Sequence, residues 1–328
     1  MGSGTNVSST FLLLGLVEME KCKHLYWSLS FIVYGFIMLL DSTIVFVVLT
    51  DRSLHEPMYM FISSLILNDI FGSSSFFPKL LIDLLMSTKT ISLVGCLVQS
   101  YCLLIFAYME IATFTLMAYD RFLAVCHPLR YPNLMTNEMA VKLIIVCLIF
   151  SVTAVSIGIM LTARLYFCGN QIQNIFCDKM SLVILSCGDT TLNKVHGESV
   201  WSTYLSLTTS VIVFSYLKVY FICVKLSKES QKKAVHTVMT HIISFSVFMM
   251  GILFVFIRYR LNGHKLPVTA HNIISVVGSV TPVLFNPLIY GIRTKALKVK
   301  LIQHLQKLHL FPTIYGAKKV RINNIRTC

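Results

Sequence analysis

The chain has 328 residues, 55% of them hydrophobic and only 13% charged, with a mean hydropathy of +0.74. That is too little polar surface to cover a soluble globule of this size, which excludes a soluble enzyme or a soluble binding domain. The formal net charge of +14 gathers beside apolar runs, where it serves membrane orientation and contact with anionic headgroups better than nucleic acid.

Apolar runs long enough to cross a bilayer as helices, about 20 residues each, fall at 25–49, 57–82, 93–120, 140–161, 198–224, 235–258 and 270–291. The fold class this predicts is an all-α membrane protein, a seven-helix transmembrane bundle with a short amphipathic helix after span seven. Residues 1–24 are expected as an N-terminal tail, 25–291 as the bundle, and 292–328 as the amphipathic helix and a cytoplasmic tail. No basic n-region and cleavage site precede the first span, so the tail is expected to stay, with span one as its own targeting signal. Arg52, Arg130, Lys225, Lys228, Lys232 and Lys233 flank the first three inner connections, and Arg293, Lys295, Lys298 and Lys300 follow span seven. This excess of positive charge places the C-terminus inside and the N-terminus outside. The sequon Asn6-Val7-Ser8 fits that topology, and Asn6 is expected to be glycosylated.

The one long connection, about 164–198, then lies outside and carries Cys168, Cys177 and Cys187. With Cys96 at the outer end of span three they form an even set in an oxidising compartment, so two disulfides are expected, with three pairings open. Cys102, Cys126, Cys147 and Cys223 are expected as buried or lipid-facing thiols. Beyond Tyr290, Leu297, Leu301, Leu305 and Leu308 recur every three or four residues among basic ones, the pattern of a helix lying on the inner membrane surface.

Three carboxylates lie inside the spans. At a rise of about 1.5 Å per residue, Asp41 sits roughly 13 Å above the inner end of span one, Asp69 roughly 18 Å into span two, and Glu110 roughly 16 Å above Arg121. Uncompensated anions at that depth are prohibitive, so the three are expected to face inward and either share protons or bind a cation, of which a sodium ion with water is the simplest. In PVLFNPLIY (Pro282 to Tyr290) two prolines bend span seven and free backbone carbonyls, giving a hinge. There Asn286 can reach the acids from below, and Tyr290 can turn toward Arg121. Span three closes on MAYDRFLAVCHPLRY (Met117 to Tyr131), whose Asp120 and Arg121 stand at the cytosolic edge. A helix-borne acid and base there suit a switchable contact better than packing.

LHEPMY (Leu54 to Tyr59), MAYDRFLAVCHPLRY, Ser215-Tyr216, KAVHTVMTH (Lys233 to His241), PVLFNPLIY and the three-cysteine outer loop stand in one order and spacing. On these the chain, from about Phe11 to Leu308, resembles an odorant receptor of the rhodopsin-like G-protein-coupled class. The resemblance implies ligand entry from outside, a plasma-membrane location, and coupling to a stimulatory, olfactory-type G protein that raises cyclic AMP, with no catalytic step and no enzyme activity. It also favours the pairing of Cys96 with Cys177 and of Cys168 with Cys187. Three positions depart from the family pattern: Leu40-Asp41 stands for Gly-Asn, Met239-Thr240 for Cys-Ser, and Met249 for Tyr.

By that architecture a small-molecule site lies between the outer halves of spans three, five, six and seven. Its expected lining is Leu103, Leu104, Ala107 and Tyr108, then Trp201 and Tyr204, then Ile252 and Phe256, then Ser279. Leu103 stands where amine receptors carry an acid, which disfavours ammonium ligands. No lysine lies between Ala270 and Gly291, which excludes a retinal Schiff base. Arg258 and Arg260 close span six near His264 and Lys265, and Arg260 is the candidate to hold a carboxylate-bearing odorant through a bidentate pair. The resemblance also assigns Asp120, Arg121, Tyr216, Asn286, Pro287 and Tyr290 to the switch and the G-protein face, with Asp120 as resting partner of Arg121. The rival from another class is an ion-coupled transporter or channel, against which the absence of an internal repeat counts. A seven-span metal hydrolase is weaker still, because His236, His241 and His271 are scattered between the two membrane faces.

Overall fold

A computed structural model describes residues 10–224, 228–261 and 267–307. Asn6 and the tail beyond residue 307 lie outside the described residues, as do the side chains of Phe256, Arg258 and Arg260. Seven helices among the described residues are long and apolar enough to cross a membrane. They are span one (Lys23–Thr50), span two (Pro57–Met86), span three (Leu93–Cys126), span four (Asn137–Ala163), span five (Thr191–Cys223), span six (Lys228–Leu261) and span seven (Val268–Arg293).

Each expected span is present, and several run past their apolar cores. Span three continues six residues beyond Asp120 to Cys126, and span five begins at Thr191, not 198. A helix needs no apolar surface to continue in water, only satisfied ends, and side chains supply those. Ser92 accepts from Gly95 N at 3.1 Å to start span three, and Thr136 accepts from Met139 N at 3.2 Å to start span four. Pro57 opens span two at a position where its missing N–H costs nothing.

The outer end differs most from expectation. From Thr10 the N-terminal segment is folded, with β1 (Thr10–Leu13) in the centre of a three-stranded sheet. It pairs antiparallel with β2 (Thr90–Ser92) and parallel with β3 (Gln171–Ile172) of the long outer loop. Four residues are too few to show a period in sequence, but Phe11 and Leu13 alternate inward and are buried, Phe11 meeting Phe167 edge-on at 5.5 Å. Gly15 then passes so close to Asn272, Ile175 and Asn174 that a Cβ would sit 2.4–2.8 Å from their atoms, which only glycine permits.

Both disulfides form as the resemblance implies. Cys96 and Cys177 have Cα atoms 5.1 Å apart and tie span three to the outer loop, while Cys168 and Cys187, 5.6 Å apart, close the loop on itself. Between them, Asp178 caps a short helix, α1 (Lys179–Ile184), by accepting from Ser181 N at 2.8 Å.

At the inner end, the amphipathic helix α2 (Lys295–Lys307) docks on the bundle as well as following the expected leucine pattern. Leu297 is fully buried and Leu301 packs on the core. Lys300 Nζ lies 2.7 Å from Asp51 Oδ2 at the foot of span one.

Candidate functional site

In the outer half the structure gathers three of the expected lining residues into one wall. Tyr108 stacks near Trp201 and Tyr204, with ring centroids 5.0 and 4.8 Å away, and the Tyr204 hydroxyl donates to the Tyr108 carbonyl at 2.7 Å. Leu104 packs on the same cluster, with Val155 of span four at its base. Leu103 turns to the opposite side, against the cluster holding Phe106 and Phe176. One residue of helix rotates a side chain by about 100°, so Leu103 and Leu104 cannot share a wall. Ile252 packs into the central core beneath, while Ala107 and Ser279 are half-buried. Lower down, an apolar cleft of about 330 Å³ lies between Tyr119, Phe122, Phe214 and Ser215, in the inner half and apart from the expected lining.

The intramembrane acids do not form one triad. Asn286 is the hub: its Nδ2 donates to Glu110 Oε1 at 2.6 Å and to Asp69 Oδ2 and Oδ1 at 3.0 and 3.3 Å. Asn68 donates to Glu110 Oε2 at 2.9 Å and to the Phe106 carbonyl at 3.0 Å. Asp41, fully buried, stands off this pair with neither carboxylate oxygen hydrogen-bonded. Among the described residues no three His, Cys, Asp or Glu side chains converge closely enough to hold a metal ion. All three acids are fully buried, and the charge of Asp41 reaches Asp69 and Glu110 although it shares no hydrogen bond with them. The oxygens of Asp69 and Glu110 have the hardness sodium requires, and the amide donors of Asn286 and Asn68 already serve the same oxygens.

At the end of span three opposite the disulfide, the charge of Arg121 acts on Asp120 without a direct ion pair between the two. Consecutive helical residues diverge, and Asp120 Oδ1 accepts instead from the Tyr131 hydroxyl at 2.8 Å, eleven residues on in the inner loop. Burial first, and the negative charge of Asp120 second, hold the Tyr131 phenol above its ordinary pKa. Arg121 keeps a buried Nε with no hydrogen-bond partner, in a ring of Tyr59, Tyr131, Tyr216 and His241 that its charge reaches. Tyr290 is fully buried, and its hydroxyl lies 3.2 Å from His241 Nδ1 of span six. Pro287 is buried beside Asn286, in the bend of span seven.

Asn68, Tyr131 and His241 thus join the site without having been singled out. Each lay inside or beside a quoted motif: Tyr131 ends MAYDRFLAVCHPLRY, His241 ends KAVHTVMTH, and Asn68 precedes Asp69. A polar residue at helical register with a buried acid was the available signal.

Comparison with known proteins agrees with this architecture. A family model described as olfactory receptor matches residues 29–307. The chain is 32% identical over 314 residues to olfactory receptor 52D1 of Homo sapiens, covering 95% of this chain and 98% of that protein. It is 33% identical over 294 residues to olfactory receptor 1 of Rattus norvegicus, covering 89% and 93%. The crystal structure of squid rhodopsin superposes with a TM-score of 0.69 over 87% of each chain at 16% identity, a likeness of fold.

Proposed function

The chain belongs to the olfactory receptor family of G-protein-coupled receptors, signalling proteins and not enzymes, and from that premise we propose that it binds a small organic odorant from the extracellular side and raises cyclic AMP through a stimulatory, olfactory-type G protein. The observation that carries this reading is the chain of buried polar contacts running down spans two, three, six and seven. It consists of two sets, Asn286 of span seven with Asp69 and Glu110, and Tyr290 of span seven with His241 of span six, beside which the charge of Arg121 lies. These contacts join different helices, so a ligand that favours one arrangement of spans six and seven changes what surrounds Arg121.

The receptor sits in the plasma membrane with its N-terminus outside, and Asn6 is glycosylated. The ligand carries a carboxylate, received by a basic side chain at the outer face. A sodium ion is held by Asp69 and Glu110, with Asp41 as a further negative charge behind them. An ion-coupled transporter would also use buried acids, but it would not need Arg121 ringed by tyrosines at the cytosolic face.

Cyclic AMP in cells expressing the receptor, measured across acids, aldehydes, alcohols and amines, tests the central claim. Arg121→Ala is expected to abolish the response with surface expression retained. A full response in that variant overturns coupling through this face, and basal cyclic AMP that ignores sodium removes the ion.

A further inference from the structure

Under the outer loop, between spans four and five, stands a cation that no described residue neutralises. Lys179, the first residue of α1, is half-buried and threads its side chain toward two glycines. Its Nζ is 3.1 Å from where a Cβ of Gly158 in span four would be, and 3.4 Å from that of Gly197 in span five. Among the described residues this ammonium has no hydrogen bond and no ion pair. The adjacent acid is occupied elsewhere: Asp178 accepts from Ser181 N at 2.8 Å, Ser181 Oγ at 2.9 Å and Asn174 Nδ2 at 3.2 Å. Burial pushes the Lys179 ammonium below its ordinary pKa, as expected for a charge removed from water without a counterion.

A second unsatisfied group points to the same place. His196 of span five has a buried Nδ1 with no hydrogen-bond partner. Its Cε1 lies 3.8 Å from the same Gly158 Cβ position, so it and Lys179 Nζ are within about 7 Å of each other. A carboxylate accepting one charge-assisted bond on each oxygen spans such a gap. Val155, one helical turn below Gly158, belongs to the aromatic cluster of Tyr108, Trp201 and Tyr204. The unpaired donors therefore sit directly above an apolar wall.

We propose that Lys179 and His196 form an anion-binding head group site, which takes the carboxylate of an organic acid whose apolar body rests on the Tyr108, Trp201 and Tyr204 wall. This rests on the reading of the chain as a receptor for small organic molecules and deepens it by naming the ligand class and the cation that selects it. Gly158 leaves room for the ammonium, which a methyl there would push back by a few tenths of an ångström.

The test separates binding from signalling. Full-length receptor in lipid nanodiscs is treated with an amine-acylating reagent, and Lys179 modification is followed by mass spectrometry beside exposed Lys194. Butanoate, octanoate, benzoate and phenylacetate are each compared with the matching alcohol. At least one acid is expected to slow modification of Lys179 roughly tenfold, with no effect on Lys194 and none from its alcohol. The His196→Ala variant, checked for wild-type thermal stability, is expected to lose most of that protection.

If no acid protects Lys179, the proposal is overturned, whether or not neutral odorants raise cyclic AMP. If octanal protects it and borohydride traps the adduct while acids do nothing, the site is an aldehyde-capturing amine and the proposal is equally overturned. Protection by acids without any cyclic AMP response leaves the anion site standing and refutes the signalling reading instead.

Discussion

Asn286 offers the sharpest test of how the bundle's centre is held. Replacing it with alanine removes the one side-chain donor that reaches both Asp69 and Glu110. Glu110 keeps its bond from Asn68, but Asp69 loses its side-chain donor while remaining fully buried. Single interhelical hydrogen bonds inside membranes average only about 0.6 kcal/mol, with a maximum near 1.7. Here one amide serves three carboxylate oxygens, and bonds to acids run to about 1.5–3 kcal/mol, so the expected loss is roughly 1.5–3 kcal/mol. For a domain of this order each kcal/mol moves the midpoint by about 2–4 °C, giving a fall of roughly 3–12 °C in a thermal unfolding scan of the purified receptor. A double-mutant cycle with Asp69→Ala isolates the pair. A coupling of at least about 1 kcal/mol is expected, and a coupling near zero would refute the hub.

Three further outcomes follow from other contacts. Opening the Cys168–Cys187 bridge with a pair of serines frees a 19-residue separation, a loss of about 3 kcal/mol, and surface expression should fall sharply. Unchanged expression would show that the sheet holds the loop without it. Gly251→Ala places a methyl 2.5 Å from the Gly278 carbonyl oxygen, so spans six and seven must part and the melting temperature must drop; a variant as stable as wild type would contradict the close approach. Lys300 and Ser53 hold the Asp51 carboxyl below the usual carboxylate range. A depressed acid stabilises above its unfolded pKa, about 3.9, and that contribution is lost only as pH falls through the lower folded value. Amide exchange in residues 296–302 should therefore be flat from pH 8 to 5 after correction for intrinsic rates, and faster throughout that range in Asp51→Asn. A step in the wild type between pH 7 and 5 would remove the ion pair as anchor.

Much of the architecture was readable because membrane insertion is a local property. An apolar run of the right length spans whatever its neighbours are, and every expected run carries a helix. The prolines and Asn286 of span seven were likewise legible, since proline acts on its own helix. What sequence could not supply was the angle at which each helix presents its side chains. Asp41, Asp69 and Glu110 share a depth, and depth follows from a rise per residue; whether they meet depends on rotation about three separate axes. The same blindness put Leu103 beside Leu104.

By itself, then, the chain's sequence determined seven spans, the even set of cysteines that form the two disulfides and the residue types available for a switch. Tertiary structure alone decided which of those residues touch. It folded the N-terminal segment into a sheet with a loop some 160 residues away, gave Asp120 a hydrogen bond from Tyr131, and left Asp41 without a hydrogen bond beside the other two acids. It also brought Lys179, Gly158 and His196 together from a loop and two spans. The physical reason is that hydropathy and helical period are sums over neighbours in the chain, whereas hydrogen bonds and charge pairs are set within a few ångströms by how whole helices turn and pack.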